Sequence, residues 1–250
     1  MRNYRNLLSF ILSSCWLISP AFAQEDVREI HVFVALCDNE SQGIAPVNER
    51  IGNGDDPAAN LYWGCSDGLR SFFKNSSRWK LTDTAEEPAE GVLERLTFEH
   101  SSVANVRLIA HAYRGSEIKK CMTDFFEATT SETSSADLVA FIGHNGLMDF
   151  RLESPEKRES GPARDAIVLA CKSGAYFRER LRAVGVRPIL LTDQFMYPGS
   201  FLLHDAIEGW LEGESLALIR DRAAKAYAKN QSISVKSARG VFSDLSESDR

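Results

Sequence analysis

The chain has 250 residues, of which 44% are hydrophobic and 26% are charged, and its formal net charge is −6. These values are typical of globular domains and exclude a disordered chain, a collagen-like fibre and a multi-span membrane protein. The acidic balance argues against nucleic acid or an anionic membrane as a partner, because both require basic patches. The length suits one large α/β domain that can bury a sizeable core without disulfides or metals.

The N-terminus has the pattern of a secretory signal peptide. A basic start is followed by an apolar stretch over residues 7–18 and by small residues up to Ala23. The stretch is too short for a membrane span, so we expect cleavage after Ala23 and export to the periplasm or the medium. An alternative is lipoprotein processing at Cys15, which follows a Leu-Ser-Ser segment. We expect residues 24–229 to form a single domain and residues 230–250, rich in Ser, Asp and Arg, to form a flexible tail.

Short apolar runs alternate with amphipathic segments along the chain. Uninterrupted apolar runs are typical of strands that are buried on both faces of a parallel sheet. The alternation predicts an α/β fold whose mostly parallel sheet is flanked by helices on both faces. The predicted strands cover residues 29–37, 79–83, 93–99, 105–113, 137–143, 166–170 and 188–192. The predicted helices cover residues 57–74, 116–129, 174–184, 197–211 and 215–229.

Candidate functional residues follow the strands directly, because ligands of open α/β sheets bind beyond the carboxyl ends of the strands. His144 and Cys171 follow two consecutive predicted strands and should therefore meet at one edge of the sheet. A neighbouring imidazole can convert a thiol into a nucleophilic thiolate. The backbone N–H groups of Gly146 and Cys171 are candidate donors to an oxyanion. Other strand-end residues are possible accessory groups: Asp38, Asn39, Asn145 and Lys172.

These residues carry a family resemblance. The sequence ACKSGAYF at residues 170–177, with His144 after the preceding strand, resembles the caspase–legumain–gingipain superfamily of cysteine peptidases. Two short blocks, residues 137–146 and 166–177, carry the likeness. It implies a caspase-like three-layer sandwich in which Cys171 is the nucleophile and His144 the general acid and base. It also implies a peptide or protein substrate, whereas the oligomeric state is left open.

A non-enzymatic function remains an alternative. Asn145 separates His144 from Gly146, and the connection from His144 to Cys171 is short. The pair could therefore be degenerate in a caspase-like binding protein of the periplasm or the extracellular space.

The cysteines and two acidic loops are further candidate sites. Cleavage of the signal leaves Cys37, Cys65, Cys121 and Cys171, which allow three disulfide pairings, with Cys37–Cys65 a plausible one. The spacing of Cys and His does not match a zinc site. Oxygen ligands in two acidic loops, at residues 38–40 and 55–56, could hold Ca²⁺, but turn and capping chemistry explains the same residues. We therefore predict no metal and no cofactor.

Overall fold

The computed structural model describes residues 27–153, 155–157 and 163–246. The predicted signal peptide and the alternative lipoprotein site at Cys15 lie outside the described residues. Among the described residues, no helix is long and apolar enough to cross a membrane.

A seven-stranded sheet forms the centre of the molecule. Its strands are β1 (Arg28–Ala35), β2 (Trp79–Ala89), β3 (Val92–His100), β4 (Val106–Tyr113), β5 (Ala136–Ile142), β6 (Asp165–Leu169) and β7 (Arg187–Leu190). Their spatial order is β2-β3-β4-β1-β5-β6-β7. The five strands from β4 to β7 are mutually parallel, and β2 and β3 add an antiparallel hairpin at one edge. The predicted mostly parallel α/β sheet is confirmed.

Helices cover both faces of this sheet. They are α1 (Leu69–Asn75), α2 (Ile118–Thr130), α3 (Ser173–Ala183), α4 (Ser200–Leu211), α5 (Leu216–Gln231) and α6 (Val235–Arg239). On one face, Phe126 of α2 stacks on Phe177 of α3, which stacks in turn on Phe141 of β5. On the other face, Trp210 of α4 donates a hydrogen bond to Asp165 of β6 (2.7 Å), and α1 and α5 pack against α4. The three layers are consistent with a caspase-like α/β sandwich.

The apolar runs form the buried centre, as the sequence predicts. Every residue from Leu138 to Ile142 of β5 is fully buried, and so is every residue from Ala166 to Leu169 of β6. A strand that has helices above and below has no solvent face, so its sequence does not alternate. The ends of these strands therefore continue directly from fully buried backbone.

The helix predicted over residues 57–74 is wrong over its first two thirds, residues 57–68, where the chain forms turns before α1. The turns bring backbone segments into direct contact at two glycines. A Cβ atom on Gly64 would lie 2.0 Å from the carbonyl oxygen of Ala58, and one on Gly68 would lie 2.5 Å from the carbonyl carbon of Trp63. Asn60 fixes the arrangement from its side chain, which accepts from the N–H of Cys37 (3.0 Å) and donates to its carbonyl (2.8 Å).

The C-terminal segment differs from the flexible tail predicted for residues 230–250. Helix α6 is followed by an antiparallel bridge between Phe242 and Thr192, just beyond β7. Phe242 is fully buried and packs against Tyr227, and Leu245 is also buried. A few large apolar residues within a polar composition are enough to bind this segment to the core.

Candidate active site

His144 and Cys171 leave the sheet at the same edge, from the neighbouring strands β5 and β6. The register pairs Ile142 with Leu169, and the N–H of Gly143 donates to the carbonyl of Leu169 (3.3 Å). The pairing therefore continues to within two residues of each candidate.

Asn145 joins the two loops directly. Its fully buried side chain donates from Nδ2 to the carbonyl oxygen of Cys171 (2.8 Å) and accepts from the N–H of Leu147 (3.2 Å). The residue that separates His144 from Gly146 is thus a structural link that fixes the histidine loop against the cysteine.

Asp149 binds the imidazole of His144. The distance between Nε2 of His144 and Oδ2 of Asp149 is 2.7 Å, and the same carboxylate oxygen accepts the N–H of Gly43 (3.0 Å). A Cβ atom on Gly43 would lie 2.5 Å from Asp149 Oδ1, so the approach depends on glycine. With Nε2–H donated to the carboxylate, Nδ1 is the ring nitrogen that can accept a proton.

The thiol of Cys171 lies against the backbone of Met196. The N–H of Met196 donates to Sγ (3.4 Å), and Sγ is 3.6 Å from the carbonyl oxygen of the same residue. Within the described structure, the hydrogen bonds of this sulfur are made with Met196 and not with His144.

The sequence ACKSG has a structural reason at each position after the cysteine. Lys172 adopts the left-handed conformation (φ 52°, ψ 32°) and forms the N-cap of α3. The buried Ser173 exchanges two hydrogen bonds with Thr192 (3.1 and 2.9 Å). Gly174 leaves room for Ser243, whose hydroxyl oxygen would lie 2.5 Å from a Cβ atom there. The segment turns sharply from strand to helix and places Cys171 just before the helix N-terminus.

The predicted oxyanion donor Gly146 has an internal partner. Its N–H donates to the carbonyl of His144 (3.0 Å), which closes a tight turn. This N–H would have to exchange that bond for one to a substrate. The role of the Cys171 N–H as an oxyanion donor stays a prediction.

Asp38 and Asn39, the accessory candidates after β1, shape their own loop and do not contact the histidine or the cysteine. The carboxylate of Asp38 accepts from the N–H of Glu40 (3.1 Å), and the Asn39 side chain makes two 2.9 Å hydrogen bonds with the backbone of Val47. This loop contributes through Gly43, which it delivers to Asp149.

The acidic loops make the turn and capping contacts that the sequence suggested as the alternative to Ca²⁺. Asp55 forms an ion pair with Arg114, and Asp56 accepts from the N–H of Ala58 (2.9 Å). Among the residues that the structure describes, no group of three or more His, Cys, Asp or Glu side chains could hold a metal ion.

The four cysteines of the domain are free thiols in the structure, so the plausible Cys37–Cys65 disulfide is not formed. Cys37 and Cys121 are fully buried, whereas Cys65 and Cys171 are partly exposed. Burial raises the pKa of Cys37 to about 11 and that of Cys121 well above its ordinary value. Because a buried protonated thiol is inert, exposure selects Cys65 and Cys171 as the thiols that a reagent can reach.

Sequence reasoning missed three residues of this site: Gly43, Asp149 and Met196. Asp149 lies in a polar stretch without periodicity, and its partner Gly43 is 106 positions away in the chain. The available signal was the carboxylate that follows His144 by one short turn. Met196 acts through its backbone, which leaves no signature in the sequence.

Comparison of the chain with family models, with curated proteins and with solved structures finds no match.

Proposed function

We propose that the protein is an exported, caspase-like cysteine endopeptidase that cleaves peptide bonds through Cys171 and His144. The observation that carries the proposal is the hydrogen bond from Asn145 to the Cys171 carbonyl, since it fixes the histidine loop against the cysteine at the carboxyl edge of the sheet. Export depends on the signal pattern in residues 1–23, which remains a prediction from the sequence.

The reaction is an acyl transfer. Nδ1 of His144 takes the thiol proton, and the Cys171 sulfur attacks the scissile carbonyl carbon, forming a C–S bond. The tetrahedral oxyanion collapses, the C–N bond breaks, and His144 returns its proton to the leaving amine. Water, activated by the same imidazole, then attacks the acyl-enzyme, the C–S bond breaks and the thiol is regenerated.

In this mechanism, two groups next to the sulfur would stabilise the attacking thiolate. The Met196 N–H donates to Sγ, and Cys171 precedes the N-terminus of the eleven-residue helix α3. Amide donors and helix N-termini both stabilise anions. Asp149 holds His144 so that its basic nitrogen is Nδ1.

The test is cleavage of a denatured-proteome peptide mixture by the mature protein, with products identified by mass spectrometry. We expect cuts with the wild type and none with Cys171→Ala, because the acyl-enzyme cannot form without the thiol. The matched control is Cys65→Ala, which removes the other partly exposed thiol. Cuts that persist in Cys171→Ala, or that disappear equally in Cys65→Ala, would contradict the proposal.

The second candidate function is that of a binding protein with a degenerate pair. Two observations favour it. The hydrogen bonds of the Cys171 sulfur are made with the backbone of Met196, and the Gly146 N–H donates to the backbone carbonyl of His144. The discriminating measurement is the rate of alkylation by iodoacetamide in the native state. A degenerate site predicts that Cys171 reacts no faster than Cys65, whereas an active dyad predicts selective modification of Cys171.

A further inference from the structure

Phe195 is held rigidly beside the candidate nucleophile. The carbonyl of Gln194 accepts the N–H of Lys172 (3.0 Å), and the N–H of Met196 donates to the sulfur of Cys171 (3.4 Å). The backbone is therefore anchored on both sides of Phe195, at the nucleophile and at the residue after it. Phe195 nevertheless remains 64% exposed.

Met148 has the equivalent position on the histidine loop. Its N–H donates to the carbonyl of Asn145 (3.0 Å), and the next residue, Asp149, binds His144. Met148 is 38% exposed. One anchored, exposed apolar side chain thus stands on each of the two loops that carry the candidate pair.

This attachment distinguishes the two residues from other exposed apolar side chains. Isolated exposed apolar residues are common on soluble proteins and by themselves indicate nothing. The other large hydrophobic residues exposed in the described chain belong to other segments of the sequence: Val27, Val103, Leu218, Ile233 and Val235. Phe195 is the most exposed of the set and its only aromatic member.

Lys172 adds a charge to the cysteine side of the site. Its ammonium nitrogen lies 4.5 Å from the centre of the Phe195 ring. A cation placed on one face of an aromatic ring repels a second cation brought to the same ring, whereas an apolar group can pack on the uncovered surface.

We infer that Phe195 and Met148 form an apolar subsite that receives large aromatic or aliphatic side chains of an extended peptide next to the scissile bond. Lys172 makes the Phe195 side of this subsite unfavourable for Lys and Arg. The inference rests on the proposed peptidase function and names its substrate class: peptides with large apolar residues flanking the cleaved bond.

The first experiment measures kcat/KM on matched peptides that differ at the flanking positions, which carry Phe or Leu, Ala, or Lys. We expect the wild type to prefer Phe and Leu over Ala and Lys by about tenfold or more, the size of effect that a small change of apolar contact produces in a substrate pocket. Phe195→Ala should lose about that factor on apolar peptides and little on Ala peptides. Leu218→Ala, a large exposed apolar residue of α5, is the control and should change nothing. A Phe195→Ala loss that is equal for all peptides would overturn the inference.

The second experiment reads binding without hydrolysis. Cys171→Ala protein is titrated with the labelled Phe-flanked peptide and its Ala analogue, and binding is followed by fluorescence anisotropy. We expect tighter binding of the Phe peptide, and loss of that preference when Phe195→Ala is added. Preference in binding without any wild-type cleavage would reject the peptidase proposal and keep the subsite. Cleavage without preference in either assay would reject the subsite and keep the peptidase.

Discussion

At the scale of single residues, the contact between Asp149 and His144 decides which imidazole nitrogen is basic. Asp149→Asn keeps the shape of the side chain but removes the charge that fixes the tautomer, because an amide can present either a donor or an acceptor. We expect kcat/KM to fall about 100-fold, at the upper end of what loss of an orienting partner costs. The measurement is kcat/KM against pH, together with the tautomer of His144 from ¹⁵N NMR shifts.

The control for this change is Asp83→Asn. Asp83 lies on the edge strand β2, and its exposed carboxylate pairs with Arg95 of β3. An Asp149→Asn protein with unchanged kcat/KM and an unchanged His144 tautomer would show that the carboxylate only shapes the loop.

The sequence could propose His144 and Cys171 because strand ends are visible in apolar patterns. It did not propose Asp149, whose one signal is a carboxylate five residues after His144 in a polar stretch, and its second partner, Gly43, comes from the loop after β1.

At the scale of elements, the C-terminal segment supports the loop that reaches Cys171. The N–H of Asp193 donates to the carbonyl of Val241 (2.8 Å), and the N–H of Ser243 donates to the carbonyl of Leu191 (2.9 Å).

Phe242→Ala leaves a cavity at a fully buried position and should lower the free energy of unfolding by about 3–5 kcal/mol. Denaturant unfolding measures the change. Ile233→Ala, a partly exposed position of the same segment, should have little effect, and equal losses in both variants would argue against specific packing of Phe242.

The elements themselves were predictable to different degrees. The strands beside the site, β5 and β6, are continuous apolar runs with no solvent face, and their predicted bounds are nearly those observed. The turns before α1 were not predictable, because residues 57–68 have apolar spacing close to that of a helix. In the structure, the contacts of Asn60, Gly64 and Gly68 with neighbouring backbone hold this segment in turns and not in a helix. The C-terminal segment was mispredicted because the prediction gave more weight to its polar composition than to the three large apolar residues that are buried, Val241, Phe242 and Leu245.

At the scale of the whole molecule, a histidine inside the sheet couples folding to pH. His111 of β4 stacks on Phe33 of β1, and its Nδ1 is buried without a hydrogen-bond partner in the described structure. Burial lowers the pKa of His111 to about 4. Between that value and the ordinary pKa near 6.5, the unfolded chain binds a proton that the folded chain does not, so stability falls as the pH falls.

We expect His111 to cost the wild type about 2 kcal/mol of unfolding free energy between pH 7.5 and pH 5. His111→Phe keeps an aromatic ring on Phe33 and removes the titration, so its stability should fall less over the same interval. Burial also lowers the pKa of His31, which leaves some pH dependence in the variant. Urea unfolding at both pH values gives the difference. Parallel losses in the two proteins would mean that His111 does not carry the effect.

The bridge between Phe242 and Thr192 also sets an order of events during synthesis. Residues 241–243 leave the ribosome after every residue of the candidate site, yet they hold the loop that carries Met196 to the sulfur of Cys171. A nascent chain that lacks them can already contain the strands that bear His144 and Cys171. The Cys171 thiol of such a chain does not yet have this support. The candidate site is therefore completed by a segment that is synthesised after all of its own residues, so a chain stopped before residue 241 contains the pair without the contacts that hold the Met196 loop.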